Sequence, residues 1–181
     1  APQPRRVCVT FNRAPDLDVN STPMSHGIGV RSFGDDPQSV ALFGAKAVEG
    51  YKNGGILCCG KHFPGHGDTA VDSHIGLPCI EKTMDELEAC ELISFRAAIK
   101  AGIPAIMSSH ILFPNIEPNG VPATMSRTIM HGLLRAQHVR KRRHAEASGA
   151  QRDAEILGVP IRRAQKPEQH RDDQQRPFEQ I

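Results

Sequence analysis

Residues 55–74, GILCCGKHFPGHGDTAVDSH, place a short apolar run directly before a polar loop that carries three histidines. The run at residues 55–60 is rich in small apolar residues and bounded by glycine, which is typical of a buried parallel strand. The histidine loop, residues 61–74, is too polar for a core and too rich in glycine for a helix. The segment therefore predicts a strand that ends in a candidate functional loop.

Short apolar runs alternate with longer amphipathic segments along the rest of the chain. Two further strands are predicted at residues 7–11 and 104–109, and helices at residues 37–53 and 83–101, with a third from Ser126. The order β-α-β-α-β predicts parallel strands whose following loops share one carboxyl-terminal edge. A complete eightfold barrel needs roughly 250 residues, so the 181 residues predict an α/β fold that is a partial (β/α) TIM-type barrel.

Composition limits the function classes. With 22 basic and 20 acidic residues, the net charge of +2 gives no positive excess for binding nucleic acid or an anionic membrane. The first residues hold no apolar stretch of signal-peptide length, and we expect a cytoplasmic location without a membrane partner. The cysteines are odd in number and lack paired metal-type spacing, which indicates reduced thiols. They are Cys8, Cys58, Cys59, Cys79 and Cys90.

The character of the chain changes after Arg135. Residues 136–181 contain ten Lys/Arg and seven Asp/Glu, and their large apolar residues are too sparse for a packed core. The basic run at residues 140–144 has no aromatic platform beside it, which argues against a nucleic-acid patch. We expect one globular domain at residues 7–135 and a polar tail at residues 136–181 that is poorly ordered or out of frame.

Five blocks in order carry a family resemblance: FNRAPDLDVNS, IGVRSFGDDPQ, GKHFPGHGDTAVDSHIGLP, AIMSSHILFP and PATMSRTIMHGLLR. Together they resemble the catalytic barrel of glycoside hydrolase family 3, in the branch of bacterial β-N-acetylhexosaminidases. The resemblance implies a retaining hydrolase that needs no cofactor and removes terminal N-acetylglucosamine from glycans or from peptidoglycan fragments during recycling. It implies His74 as general acid/base, Asp72 as its dyad partner, and sugar contacts at Arg31, Lys61 and His62.

The chemistry of the dyad is independently reasonable. An imidazole has an unperturbed pKa of about 6.5, which suits proton donation to a leaving group near neutral pH. Asp72 and His74 are two residues apart, so in an extended segment both side chains project to the same side. Further pocket candidates are Asp18, His66 and His110. Asp16 and Asp18 could equally form turns or support the pocket floor, and His66 could equally have a structural role, hydrogen-bonding to the loop backbone.

Two alternatives belong to other classes. His62, His66, Asp68, Asp72 and His74 form an H-x3-H-x-D-x3-D-x-H array that zinc or iron could use, but the loop glycines argue against a rigid ligand frame, and no metal is expected. The second alternative is an inactive fragment or a sugar-binding relic. The family's nucleophilic aspartate should follow the block that ends at Arg135, and we do not find it there, so an internal piece of the barrel with little turnover is expected.

Overall fold

The structure is a computed structural model that describes residues 8–22, 27–69 and 76–136. Val7, Asp72, His74 and the tail from Gln137 lie outside the described residues, so the assignments made for them from the sequence stay predictions. Within the described ranges, no helix is long and apolar enough to span a bilayer.

Three parallel strands form the sheet, in the order β1 (Phe11–Asn12), β2 (Leu57–Phe63) and β3 (Ala105–Ser108). The predicted parallel arrangement is confirmed, but β2 begins two residues later than expected and continues through Phe63. A parallel bridge between Asp16 and Lys61 extends the pairing beyond β1. The strand therefore includes Lys61 and His62, which the sequence placed in the loop, because Lys61 still pairs with Asp16 and the ladder to β3 resumes at Phe63.

The first helix, α1 (Pro37–Asn53), has the predicted bounds. Asp36 caps it by accepting hydrogen bonds from the backbone N–H of Ser39 at 2.8 Å and of Gln38 at 3.4 Å. Such a cap satisfies amide donors that have no partner inside the helix. The carboxylate of Asp36 is thus committed to the helix end.

The helix predicted at residues 83–101 is two helices, α2 (Met84–Ala89) and α3 (Glu91–Ala101). Cys90 lies between them with φ −128° and ψ −84°, outside the helical region. The apolar periodicity continues through Cys90, so the pattern alone did not reveal the break. The predicted third helix is present at Thr128–Arg135 with π-helical hydrogen bonding.

The core lies between the sheet and helices α1 and α3. Phe63 from β2 meets Phe95 from α3 edge to face, with ring centroids 5.2 Å apart, and both side chains are fully buried. Burial of one such side chain contributes about 1.5–3 kcal/mol. This packing fixes the carboxyl end of β2, where the histidine loop begins, against α3.

The histidine loop also lies directly on the chain that follows β1. A Cβ atom added to Gly67 would overlap the backbone carbonyl of Val19. No side chain can relieve that overlap, since the obstructing atom belongs to the main chain. Glycine is therefore required at this position for close approach, not for a flexible turn.

We expect Gly67→Ala to destabilise the chain by about 1–3 kcal/mol, because the two loops must separate to admit a methyl group. The matched control is Gly50→Ala within α1, where an added Cβ meets nothing within 4 Å. That change should stabilise the helix by about 0.5–1 kcal/mol. Urea unfolding followed by circular dichroism measures both, and equal midpoints for the two variants would contradict the close approach.

Candidate active site

The candidate site lies at the carboxyl-terminal edge of the sheet, where the chain leaves β1 and β2. The segment after β1 supplies Asp16 and Asp18, and the end of β2 supplies Lys61 and His62. Leu17 donates its N–H to the carbonyl of Lys61 at 2.7 Å, which holds the two segments side by side. The fold therefore brings carboxylates and imidazoles from distant parts of the sequence together.

Asp18 is the central acceptor of this site and is completely buried. Its carboxylate accepts the backbone N–H of His66 at 2.7 Å and that of His62 at 3.1 and 3.2 Å. Nδ1 of His62 also lies 2.7 Å from Oδ2 of Asp18. One carboxylate thus fixes both the path of the histidine loop and the orientation of the His62 ring.

His66, which the sequence left between a structural and a pocket role, is buried within the loop. Its Nδ1 lies 2.8 Å from the hydroxyl of Thr69, and its ring packs against that of His62 at a centroid distance of 5.4 Å. The hydroxyl of Thr69 also donates to the backbone carbonyl of His66 at 2.9 Å. These contacts make His66 part of the framework that supports His62.

The two aspartates have raised pKa values. Burial and the neighbouring negative charge of Asp18 raise the pKa of Asp16 to about 7. Burial raises the pKa of Asp18 to about 6, although hydrogen bonds from the backbones of His62 and His66 lower it in part. Near neutral pH the pair therefore carries a proton for part of the time.

A cation site is one chemical possibility for this cluster. One ligand atom each from Asp16, Asp18 and His62 lie within 4.8 Å of one another, which is a different set from the array considered as an alternative within the histidine loop. The facing atoms of Asp18 and His62 are already joined by their 2.7 Å contact. An ion would have to replace that hydrogen bond, so the geometry fits a positioning pair better than a ligand set.

Arg31 is exposed and approaches the site from the loop after β1. Its guanidinium donates to the backbone carbonyls of Gly27 and Ile28, and its positive charge lowers the pKa of Asp18. The adjacent Ser32 donates its hydroxyl to the backbone carbonyl of Asp18 at 2.7 Å. Arg31 therefore lies at the same edge of the sheet as Asp18.

Lys61 and His110 reach the same edge from neighbouring strands. Lys61 is half-buried at the end of β2 and donates its N–H to the carbonyl of Pro15 at 3.3 Å. His110 is exposed two residues beyond β3, where Ser109 donates its N–H to the carbonyl of Phe63 at 2.8 Å. The predicted site residues that the structure describes thus lie at the ends of strands, or in the segments that follow them, at one edge of the sheet. Asp72 and His74 lie outside the described residues.

The network around Lys82 was not predicted from the sequence. This ammonium lies 2.9 Å from Oδ2 of Asp68 and 2.5 Å from Oε1 of Glu91, and Glu91 is only 2% exposed. One signal was present: Glu91 shares a helix face with Phe95 and Ala98, four and seven residues later, and a buried carboxylate there needs a partner. A second signal, for the site itself, was the spacing of Asp16 and Asp18. Side chains two residues apart in an extended segment lie on the same side, so the two carboxylates were predictable neighbours.

The raised pKa of Asp16 has a consequence for stability. Its pKa is about 7 in the folded chain against 3.8 for the unperturbed group, so between these values the folded state keeps a proton that the unfolded state releases. Stability from this group therefore falls as pH rises from about 4 to 7 and then levels off. Asp16→Asn keeps a neutral side chain and should gain stability relative to the wild type across that window.

We expect this relative gain to be on the order of 1–3 kcal/mol. Urea unfolding of both proteins between pH 4.5 and 8 measures it, with Asp35→Asn as a control at an exposed carboxylate. Parallel pH profiles for the wild type and Asp16→Asn would show that Asp16 ionises normally.

Known proteins resemble this chain in both sequence and structure. Beta-hexosaminidase A of Pseudoalteromonas piscicida is 42% identical over 138 residues, which cover 70% of this chain and 23% of that protein. A glycoside hydrolase family 3 beta-N-acetylglucosaminidase from Paenibacillus sp. str. FPU-7 superposes with a TM-score of 0.73 at 43% identity, over 75% of this chain and 26% of that one.

NagZ from Neisseria gonorrhoeae, solved in complex with N-trifluoroacetyl-D-glucosamine, gives a TM-score of 0.62 at 36% identity, over 70% of this chain and 36% of that one. The chain thus spans about a quarter to a third of the length of these relatives. Residues 5–139 match the model of the glycosyl hydrolase family 3 N-terminal domain. With its parallel strands and its histidine loop at their carboxyl-terminal edge, the chain belongs to glycosyl hydrolase family 3.

Proposed function

We propose that the protein containing these residues is a β-N-acetylhexosaminidase, a glycoside hydrolase that releases terminal N-acetylglucosamine with retention of configuration. The observation that carries the proposal is the fixed carboxyl end of β2. There, Asp18 holds His62 and His66 at the start of the loop that continues to Asp72 and His74. Membership of the family supports it, as do relatives named for this activity.

In this proposal His74 is the general acid and base. Its imidazole gives a proton to the departing glycosidic oxygen and later takes one from the attacking water. Asp72 would accept a hydrogen bond from one ring nitrogen and so select the nitrogen that faces the substrate. A retaining mechanism also needs a carboxylate nucleophile roughly 5 Å away, and the proposal assigns only the proton-transfer half of the reaction to this chain.

Arg31, Lys61 and His62 are proposed to bind the sugar. Lys61 and Arg31 supply charged donors for hydroxyl and carbonyl oxygens, and Arg31 presents a planar fork. The contact of His62 Nδ1 with Asp18 fixes the ring, so its orientation is set before a sugar arrives. Such preorganisation reduces the entropy lost on binding. Asp18 and His66 act through His62, and His110 borders the pocket.

The proposal extends to the class of natural substrate. We infer that the natural substrates are N-acetylglucosamine-containing glycans or peptidoglycan fragments recycled in the cytoplasm. One solved relative holds an N-acylated glucosamine derivative. The cysteines Cys8, Cys58, Cys59, Cys79 and Cys90 are all unpaired, which is the usual state in a reducing compartment.

The test compares His74→Ala with the wild type in the complete product of the gene. Turnover of chitobiose, whose leaving group needs protonation, should fall by about 10² to 10⁴, whereas an activated aryl N-acetylglucosaminide should lose less because its leaving group departs without help. His131→Ala, at an exposed histidine of the last described helix, serves as the matched control and should leave both rates unchanged.

Two outcomes decide against parts of this proposal. Equal losses for both substrates in His74→Ala would remove His74 from the acid role. A wild-type protein that binds the amino sugar without turning over either substrate would instead favour a sugar-binding relic.

A further inference from the structure

The ammonium group of Lys82 joins two carboxylates that belong to different parts of the fold. Nζ lies 2.9 Å from Oδ2 of Asp68 and 2.5 Å from Oε1 of Glu91. Asp68 belongs to the histidine loop, Lys82 precedes α2, and Glu91 is the first residue of α3. Because Asp68 and Lys82 stand on either side of residues 69–81 in the sequence, their ion pair connects the two ends of that stretch.

This network differs from an ordinary surface ion pair. The side chain of Glu91 is 2% exposed, that of Lys82 20% and that of Asp68 31%. Exposed pairs contribute little to stability, but a buried carboxylate requires a partner, because loss of water is otherwise uncompensated. Burial disfavours the charged ammonium of Lys82, yet its hydrogen bonds to Glu91 and Asp68 outweigh that effect and raise its pKa. The group is therefore a cation at neutral pH.

Asp68 has a second partner on its other oxygen. The hydroxyl of Thr22, in the loop after β1, donates to Oδ1 of Asp68. Burial raises the pKa of this carboxyl, but the hydrogen bonds from Thr22 and Lys82 lower it by more. One carboxylate thus ties the histidine loop both to the loop after β1 and to the chain that enters α2.

The start of the histidine loop packs against a residue of the same network. A Cβ atom added to Gly65 would collide with Cγ of Glu91, and Gly65 has φ +150°, which side chains rarely adopt. The backbone at Gly65 therefore lies against the aliphatic part of Glu91, whose carboxylate continues to Lys82. The loop is held near its start by packing on Glu91 and near Asp68 by charge.

We propose that Asp68 is a positioning residue, which with Lys82 and Glu91 clamps both ends of residues 69–81, the stretch that contains Asp72 and His74. The inference rests on the proposed acid/base function of His74. Closing the ends of a stretch removes most of the conformations that it could otherwise adopt. Proton transfer requires the acid within hydrogen-bonding distance of the leaving oxygen, and a displacement of about 1 Å can slow a reaction roughly 10²-fold.

The sharpest variant is Asp68→Ala. It opens the connection between the two ends and leaves the pair of Lys82 with Glu91 intact, so no buried carboxylate loses its partner. The matched control is Glu49→Ala, which removes an exposed carboxylate whose Oε2 lies 2.8 Å from Nζ of Lys46 on α1. Asp68→Asn is an intermediate case, because its single amide oxygen can accept from Thr22 or from Lys82, while the NH2 group replaces the other acceptor and the charge is lost.

Two measurements on the complete gene product test the clamp. Hydrogen–deuterium exchange should be at least tenfold faster in a peptide covering residues 69–82 of Asp68→Ala, with α1 unchanged. Turnover of chitobiose should fall at least tenfold, whereas turnover of an activated aryl N-acetylglucosaminide should fall less than threefold and the affinity for N-acetylglucosamine should stay within twofold. Asp68→Asn should show smaller losses, and Glu49→Ala none.

The exchange measurement needs no activity, so it separates the clamp from the proposed function. Unchanged exchange at residues 69–82 in Asp68→Ala overturns the clamp, whether or not the wild type is active. Faster exchange with equal losses for both substrates overturns the positioning of the acid, because a general structural defect does not depend on the leaving group. A wild type without turnover overturns the proposed function, and exchange alone then decides whether the clamp exists.

Discussion

The buried carboxylate of Asp18 is the interaction on which the site depends. It accepts the backbone N–H groups of His62 and His66 and contacts Nδ1 of His62. These protein donors replace the water that the carboxylate loses on burial. Burial of an unpaired carboxylate would be strongly unfavourable. The burial of Asp18 is tolerated because these groups contact its carboxylate within hydrogen-bonding distance. The same hydrogen bonds dictate where the histidine loop leaves β2, so stability and site geometry have a common cause.

Asp16 shows what happens when such compensation is incomplete. Its Oδ1 accepts the N–H of Asp18 at 3.3 Å, and within the described part of the chain no donor lies within hydrogen-bonding geometry of its buried Oδ2. Since desolvation and the charge of Asp18 both disfavour ionisation, the pKa of Asp16 rises to about 7. Two aspartates two residues apart therefore differ in role. Asp18 organises the loop as an acceptor, whereas Asp16 limits the negative charge beneath it at neutral pH.

The sequence predicted the features that local chemistry determines and missed those that depend on distant partners. The bounds of α1 were predictable because Asp36 and Pro37 mark its start, and the site edge followed from the order of strands. The break at Cys90 was not predictable, because the apolar periodicity of α2 and α3 continues through Cys90 although the backbone there leaves the helical region. The Lys82 network was equally hidden, since Asp68 and Glu91 are 23 residues apart and only the folded loop brings them together.

The glycines of the histidine loop were interpreted from the sequence as a source of flexibility that argues against metal ligation, and that reason was wrong. Gly65 lies against Glu91 and Gly67 against the carbonyl of Val19, so both permit tight packing and make the described part of the loop rigid. The case for a hydrogen-bonded site over a metal site instead follows from the contact of Asp18 with His62. Rigidity also suits the proposed chemistry. Asp18 fixes the start of the histidine loop and Asp68 holds it further along, and groups that are fixed before a substrate arrives lower a barrier because they need little reorganisation.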